Sequence, residues 1–93
     1  MATGTIQKYI VAADIPTSAD LNNYMTTGIY RSPESAQGVA SLSNCPADNP
    51  FTLIVTGSGA LAGCVQTVLT RGNIYTRRAS SGGWFGWTTF TGS

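Results

Sequence analysis

Groups that move protons, attack carbon or hold a metal are scarce in this sequence. Histidine is absent, which removes the commonest general base and metal ligand together. Triads of the Ser-His-Asp or Cys-His type therefore cannot be assembled within one chain. The acids are Asp14, Asp20, Glu34 and Asp48. Two carboxylates across a sugar cleft are what glycoside hydrolysis requires, so their number does not forbid such a site. Their settings favour other roles: Asp20 stands at a helix start and Asp48 among turn formers. Carboxylates that meet across an oligomer interface stay open. Cys45 and Cys64 lack CxxC or any other zinc-ligand spacing, and they are either free core thiols or a single disulfide. Gly57-Ser58-Gly59 is glycine-rich, but no Lys follows it as a phosphate loop would need, so it reads as a turn between strands. These residues predict a non-enzymatic protein with no metal and no cofactor.

The aromatic residues are the remaining candidates. Tyr24, Tyr30, Tyr75, Trp84, Phe85, Trp87 and Phe90 fall in or beside the sheet-forming region. Strand alternation along Trp84 to Phe90 places Trp84, Gly86, Thr88 and Phe90 on one face and Phe85, Trp87 and Thr89 on the other. Each face of that closing strand then carries large rings. On one reading, one ring fills the core while the other packs beneath the helix or against a neighbouring subunit. On the other, an exposed Trp is a platform for sugar C–H faces, with Tyr75 or Arg77 adding hydrogen bonds. Tyr75, Arg77, Trp84 and Trp87 are accordingly the candidate ligand-binding residues, for a saccharide or for a subunit interface.

The elements that must position them are mostly strands. Gln7 to Ala13 suits a short strand or a packed N-terminal arm. Pro16 holds Ile15 extended. Thr17 or Ser18 can then cap a helix over Ser18 to Met25, with Leu21 and Tyr24 on one face and a Thr26-Thr27-Gly28 stop. Gly28 to Arg31 starts a strand. Ser32 to Pro50 shifts to Pro, Ser, Ala, Asn and Asp, a long irregular connection with Val39 to Leu42 as its one brief strand candidate. Phe51 to Thr56 is a continuous apolar run, as a central strand buried on both faces requires. Cys64 to Thr70 and Ile74 to Arg78 follow as strands. Ser80-Ser81-Gly82-Gly83 is a hairpin turn before Trp84 to Phe90. The expected fold is α+β and mainly β: one short N-terminal helix on a small antiparallel sheet whose C-terminal half is a four-stranded meander.

Composition sets the setting of this fold. The 93 residues indicate one domain, with residues 1–14 as an N-terminal arm. Only 10% of residues are charged, against roughly 25% in an average domain. Gly, Ser and Thr supply roughly a third of the chain and much of its polar surface. Low charge weakens self-repulsion and lowers the desolvation cost of assembly, which suits a protein packed against copies of itself. The net charge of +1 gives no attraction to nucleic acid or anionic membrane. Arg77-Arg78 is the one local cationic pair and reads as solvated or interfacial. No stretch is long and apolar enough to span a membrane. The N-terminus has no basic region followed by an apolar run, so no signal peptide is expected.

Several short patterns, in order, resemble the pyocin-knob domain of phage and phage-like tail fibres. They are Asp20-Leu21-Asn22, Thr27-Gly28-Ile29-Tyr30, Phe51-Thr52-Leu53-Ile54-Val55, Gln66, Ile74-Tyr75-Thr76-Arg77, and Gly83-Trp84 with Trp87. The resemblance runs over residues 15–90. It implies a homotrimeric fibre whose copies join one another and adjoining fibre segments, in a virion or phage-like particle made in the bacterial cytoplasm. It implies attachment to bacterial surface glycans and supplies no catalytic residues. The Cys45-containing loop departs from the family pattern. Two alternatives remain beside it: a free-standing carbohydrate-binding module and a non-catalytic accessory domain of a surface depolymerase.

Overall fold

Phe51 to Thr56 lies at the centre of the sheet as expected, but only Leu53 and Val55 on one face of its strand are buried, and the sheet is mixed rather than antiparallel. The structure is a computed structural model and describes residues 12–92. Its strands are β1 (Ala12–Asp14), β2 (Thr26–Arg31), β3 (Thr52–Ser58), β4 (Val65–Leu69), β5 (Asn73–Ser80), β6 (Gly83–Trp84) and β7 (Thr88–Thr91). They run in the order β1-β2-β3-β4-β5, and both β6 and β7 pair with the far edge of β5. β1 is parallel to β2, and every other pairing between these strands is antiparallel. Of the expected N-terminal strand, residues 7–11 lie outside the described residues, and its end forms β1.

The expected helix over Ser18 to Met25 does not form. Ser18 sits at φ 67°, in the left-handed region, which blocks a helical start. Only Leu21–Asn23 winds, as a single 3-10 turn capped by the Asp20 side chain. The reason is tertiary. The backbone around Asp20 is engaged by the 41–44 segment: Leu21 N–H donates to the Ser43 carbonyl and Ser43 N–H to that of Ala19. Those bonds outweigh the local propensity of a segment that contains two helix-poor asparagines. The one α-helical turn among the described residues, α1 (Ala36–Ala40), falls instead in the segment expected to be irregular. It takes in Val39 and Ala40, where a brief strand was the alternative. Ser35 caps it by accepting from Gly38 N–H at 3.0 Å. The fold is therefore mainly β, and the packed N-terminal helix is replaced by one 3-10 turn.

The closing strand is also divided. β6 pairs Trp84 with Ala79 and β7 pairs Thr88 with Thr76; between them residues 85–87 are unpaired, held to β5 by the Phe85 N–H that donates to the Arg78 carbonyl at 3.0 Å. Gly83 permits the return, since its φ of +137° is open only to glycine.

The two faces of the sheet differ sharply. Directly paired residues share a face, so Leu53, Val55, Gln66, Val68, Tyr75 and Arg77 all point inward. Ile15, Leu21, Val39 and Leu42 from the 15–25 and 36–47 segments cover them, and this layer is the core. The Ser32 hydroxyl closes one end by accepting from Phe51 N–H at 2.8 Å. The outward face carries two rows across the sheet: Ile29-Ile54-Thr67-Thr76-Thr88 and Arg31-Thr52-Leu69-Ile74-Phe90. No described segment covers them. Ile74 is 44% exposed and Phe90 54%.

Candidate functional site

The candidate site grows from one cross-strand pair on the inward face. Gln66 of β4 stands opposite Arg77 of β5, and both are buried. Gln66 Oε1 accepts from Arg77 Nε at 2.9 Å. Its Nε2 donates to the carbonyls of Leu21 at 2.6 Å and Tyr24 at 2.9 Å. These bonds tie the sheet to both ends of the 3-10 turn. Arg77 Nη2 donates to Asn22 Oδ1 at 2.9 Å, so the turn also presents the second partner of the guanidinium. A buried charge must be paired or hydrogen-bonded, and here amides rather than carboxylates do this.

Two tryptophans complete the enclosure. The Arg77 guanidinium carbon lies 4.0 Å from the Trp84 ring centroid and 4.4 Å from that of Trp87, within cation–π range. Strand alternation had put these rings on opposite faces. The break at residues 85–87 overrides it and brings both to the same cation. Trp87 Nε1 donates to the Asn44 carbonyl at 3.2 Å. Trp84 Nε1 is sealed from solvent with no hydrogen-bond partner. Arg77 and Arg78 are separated by the pleat: Arg77 is buried, whereas Arg78 lies outward, 5.4 Å from the Phe85 ring centroid. Of the expected solvated or interfacial pair, Arg77 is thus not solvated.

Electrostatics follow from this packing. Burial pulls the Arg77 pKa down to about 10, partly offset by Asp20. The group therefore stays cationic at neutral pH. Asp20 Oδ1 accepts from Asn44 Nδ2 at 2.8 Å and from Asn22 N–H at 2.8 Å. Those bonds, with that from Asn44 the larger influence, hold its carboxyl below the usual range. Cys45 and Cys64 are both free thiols. Burial pushes each pKa up, which keeps them protonated and unreactive.

Asn22, Asn44, Cys45 and Arg77 line a hollow of about 570 Å³ with the Gly83–Trp87 segment. Three of the four candidate residues thus meet: Arg77, Trp84 and Trp87. Tyr75 does not join them. It lines a separate hollow with Asp48, Asn49 and Arg71, and its hydroxyl accepts from Asn73 Nδ2 at 3.1 Å. A further hollow of about 620 Å³ lies near the Asp14–Arg31 ion pair, away from the tryptophans. Among the described residues no cluster of His, Cys, Asp and Glu could hold a metal, and no helix is long and apolar enough to cross a membrane. The sequence reading missed Asn22, Asn44 and Gln66 as site residues. Gln66 carried a usable signal, because it shares strand parity with the apolar Cys64 and Val68.

The sequence matches no family profile and no curated protein. Solved structures do match. One is a C-terminal fragment of the R1 pyocin fibre of P. aeruginosa, with a TM-score of 0.75 and 24% identity over 84% of this chain and 21% of that one. Another is an N-truncated R2-type pyocin tail fibre, with a TM-score of 0.75 and 22% identity over 84% of this chain and 31% of that one. The chain thus has the fold of a pyocin tail-fibre domain, and it spans less than a third of each fibre chain it matches.

Proposed function

We propose that this chain is a non-catalytic, knob-like structural domain of a phage-type tail fibre, and that copies of it pack together through the outward sheet face. The carrying observation is that face itself. It sets Ile29, Ile54, Leu69, Ile74 and Phe90 among threonines, it includes Leu69, Ile74 and Phe90 as exposed large side chains, and no described segment covers it. A chain with so few charges meets little repulsion from its own copies. The fold likeness supports the fibre setting, and the sequence resemblance adds a homotrimer that joins adjoining fibre segments and attaches particles to bacterial surface glycans.

The size of the face sets how strong this packing is. Five strands about 4.8 Å apart and five residues deep at about 3.3 Å give a footprint of about 400 Å² per copy. A standard interface uses about 800 Å² per partner. Isolated domains therefore associate weakly, and neighbouring fibre segments contribute the rest. Sedimentation over a concentration series tests this. Concentration-dependent association that disappears in an Ile74→Lys, Phe90→Lys double variant is expected. A wild-type chain that stays monomeric up to about millimolar concentration would falsify the packing proposal.

A second reading is favoured by a different observation. The hollow beside Trp84 and Trp87 combines aromatic rings with amide groups, the materials of a saccharide site. On this reading the domain also binds glycan, whether in a fibre, as a free-standing module or as an accessory to a depolymerase.

A further inference from the structure

We propose that the hollow beside Trp84 and Trp87 takes an acidic saccharide, with its carboxylate held by Arg77 and Asn22. The proposal rests on the saccharide reading of that hollow and adds the chemical class of the sugar. It comes from counting which hydrogen-bonding positions there are already filled.

A guanidinium carries five N–H groups. Arg77 uses Nε on Gln66 and one N–H of Nη2 on Asn22. That fills one edge of the fork. Nη1 has no hydrogen-bond partner among the described residues. It is not sealed either, because the one sealed and unpartnered side-chain nitrogen or oxygen among them is Trp84 Nε1. The outer edge of a buried cation therefore keeps contact with solvent in a hollow that Arg77 lines. No carboxylate forms an ion pair with it, since the ion pair among the described residues is Asp14–Arg31. Asp20 is the acid that acts on Arg77, and its Oδ1 is occupied by Asn44 Nδ2 and Asn22 N–H.

The asparagines extend the pattern. Asn22 Oδ1 is taken by Arg77, and Asn22 Nδ2 has no hydrogen-bond partner among the described residues. At Asn44 the backbone carbonyl is taken by Trp87 and Nδ2 donates to Asp20, while Oδ1 has no hydrogen-bond partner among the described residues. Among these side chains Arg77 Nη1 and Asn22 Nδ2 are the open donors and Asn44 Oδ1 is the open acceptor, so N–H groups predominate around the one cation. A sugar hydroxyl donates as well as accepts, whereas a carboxylate only accepts. A carboxylate also forms charge-assisted bonds with Arg, roughly twice as strong as neutral ones. The arrangement therefore selects a sugar acid over its neutral counterpart.

Trp84 and Trp87 are the two tryptophans of the chain, so their fluorescence reports on this hollow alone. Methyl β-glucuronide, methyl β-glucoside, acetate and inorganic phosphate are titrated into the intact chain. The expected result is a saturable response to the glucuronide at a concentration at least about tenfold lower than for the other three. An equal response to the glucoside overturns the acidic preference and leaves the saccharide reading standing. An equal response to acetate or phosphate overturns the saccharide part and leaves an adventitious ion only. No response to either sugar overturns both. Arg77 variants risk unfolding, so Asn22→Asp is the decisive variant. It keeps an acceptor for Arg77 Nη2, removes the Nδ2 donors and adds negative charge. Glucuronide binding should be lost with the urea midpoint not lowered, and wild-type binding by Asn22→Asp overturns the proposal.

Discussion

Gln66 and Arg77 face each other across β4 and β5, and the 2.9 Å bond from Arg77 Nε to Gln66 Oε1 joins two buried polar side chains inside an otherwise apolar layer. The other end of the Gln66 amide holds the 3-10 turn by two carbonyls. Replacing Gln66 by Leu leaves Arg77 Nε and the carbonyls of Leu21 and Tyr24 without this partner. Each buried group that loses its partner costs about 1–3 kcal/mol, less any recovery by water. A net loss of about 3 kcal/mol is expected for Gln66→Leu in urea unfolding. A loss below about 1 kcal/mol would show that the amide does not organise this layer.

The two tryptophans should respond differently to the same change. Trp87→Phe removes the bond to Asn44 and weakens the stack on Arg77, and about 1–2 kcal/mol of stability should be lost. Trp84→Phe also weakens a stack, but it removes a sealed donor that has no partner. Eliminating that unsatisfied group offsets part of the loss. Trp84→Phe should therefore be the milder change. Equal thermal midpoints for the two variants would contradict the assignment.

Asp20 gives the fold an acid-sensitive contact. The bonds from Asn44 Nδ2 and Asn22 N–H hold its pKa below 3.8 in the folded state. A carboxyl shifted this way adds stability above its unfolded value and loses it as pH falls through the folded one. Asp20→Ala should cost about 1 kcal/mol at pH 6, in the range of other turn caps. The gap to wild type should narrow below pH 3.8. Urea midpoints at several pH values measure it, and a gap that stays constant down to pH 2 would count against this role.

The outward face predicts a separation between association and stability. Ile74 and Phe90 pair across β5 and β7 and are each about half exposed. Lysine at both should change stability by no more than about 0.5 kcal/mol per site while abolishing concentration-dependent association. Circular dichroism melts beside the sedimentation series distinguish the two effects. A double variant that unfolds would place these residues in the core instead.

Strand signals in this sequence were legible where they were local. The run Phe51 to Thr56 and the β-branched middle of Cys64 to Thr70 carry their own pattern, and β3, β4 and β5 lie where those patterns put them. The expected N-terminal helix gives way because Asp20 and Leu21 join the distant Ser43 segment, a contact that propensity does not register. The candidate site was half legible. Trp84, Trp87 and Arg77 stood out by residue type, but the break at residues 85–87 that unites them carries no periodic signal. Asn22 and Asn44 are ordinary turn residues by type, and only the folded chain brings them to the same hollow. Tyr75 and Arg77 do share a face of β5, yet these neighbouring positions line different hollows.

The break in the closing strand also separates two kinds of change open to this protein. β6 and β7 are each registered against β5 by their own hydrogen bonds, so chain added between Phe85 and Gly86 need not shift either pairing. A hairpin with a continuous ladder has no such freedom, because one extra residue flips every side chain beyond it. The segment that borders the tryptophan hollow can thus lengthen or vary while the sheet stays the same, which makes it the natural place to graft a new loop.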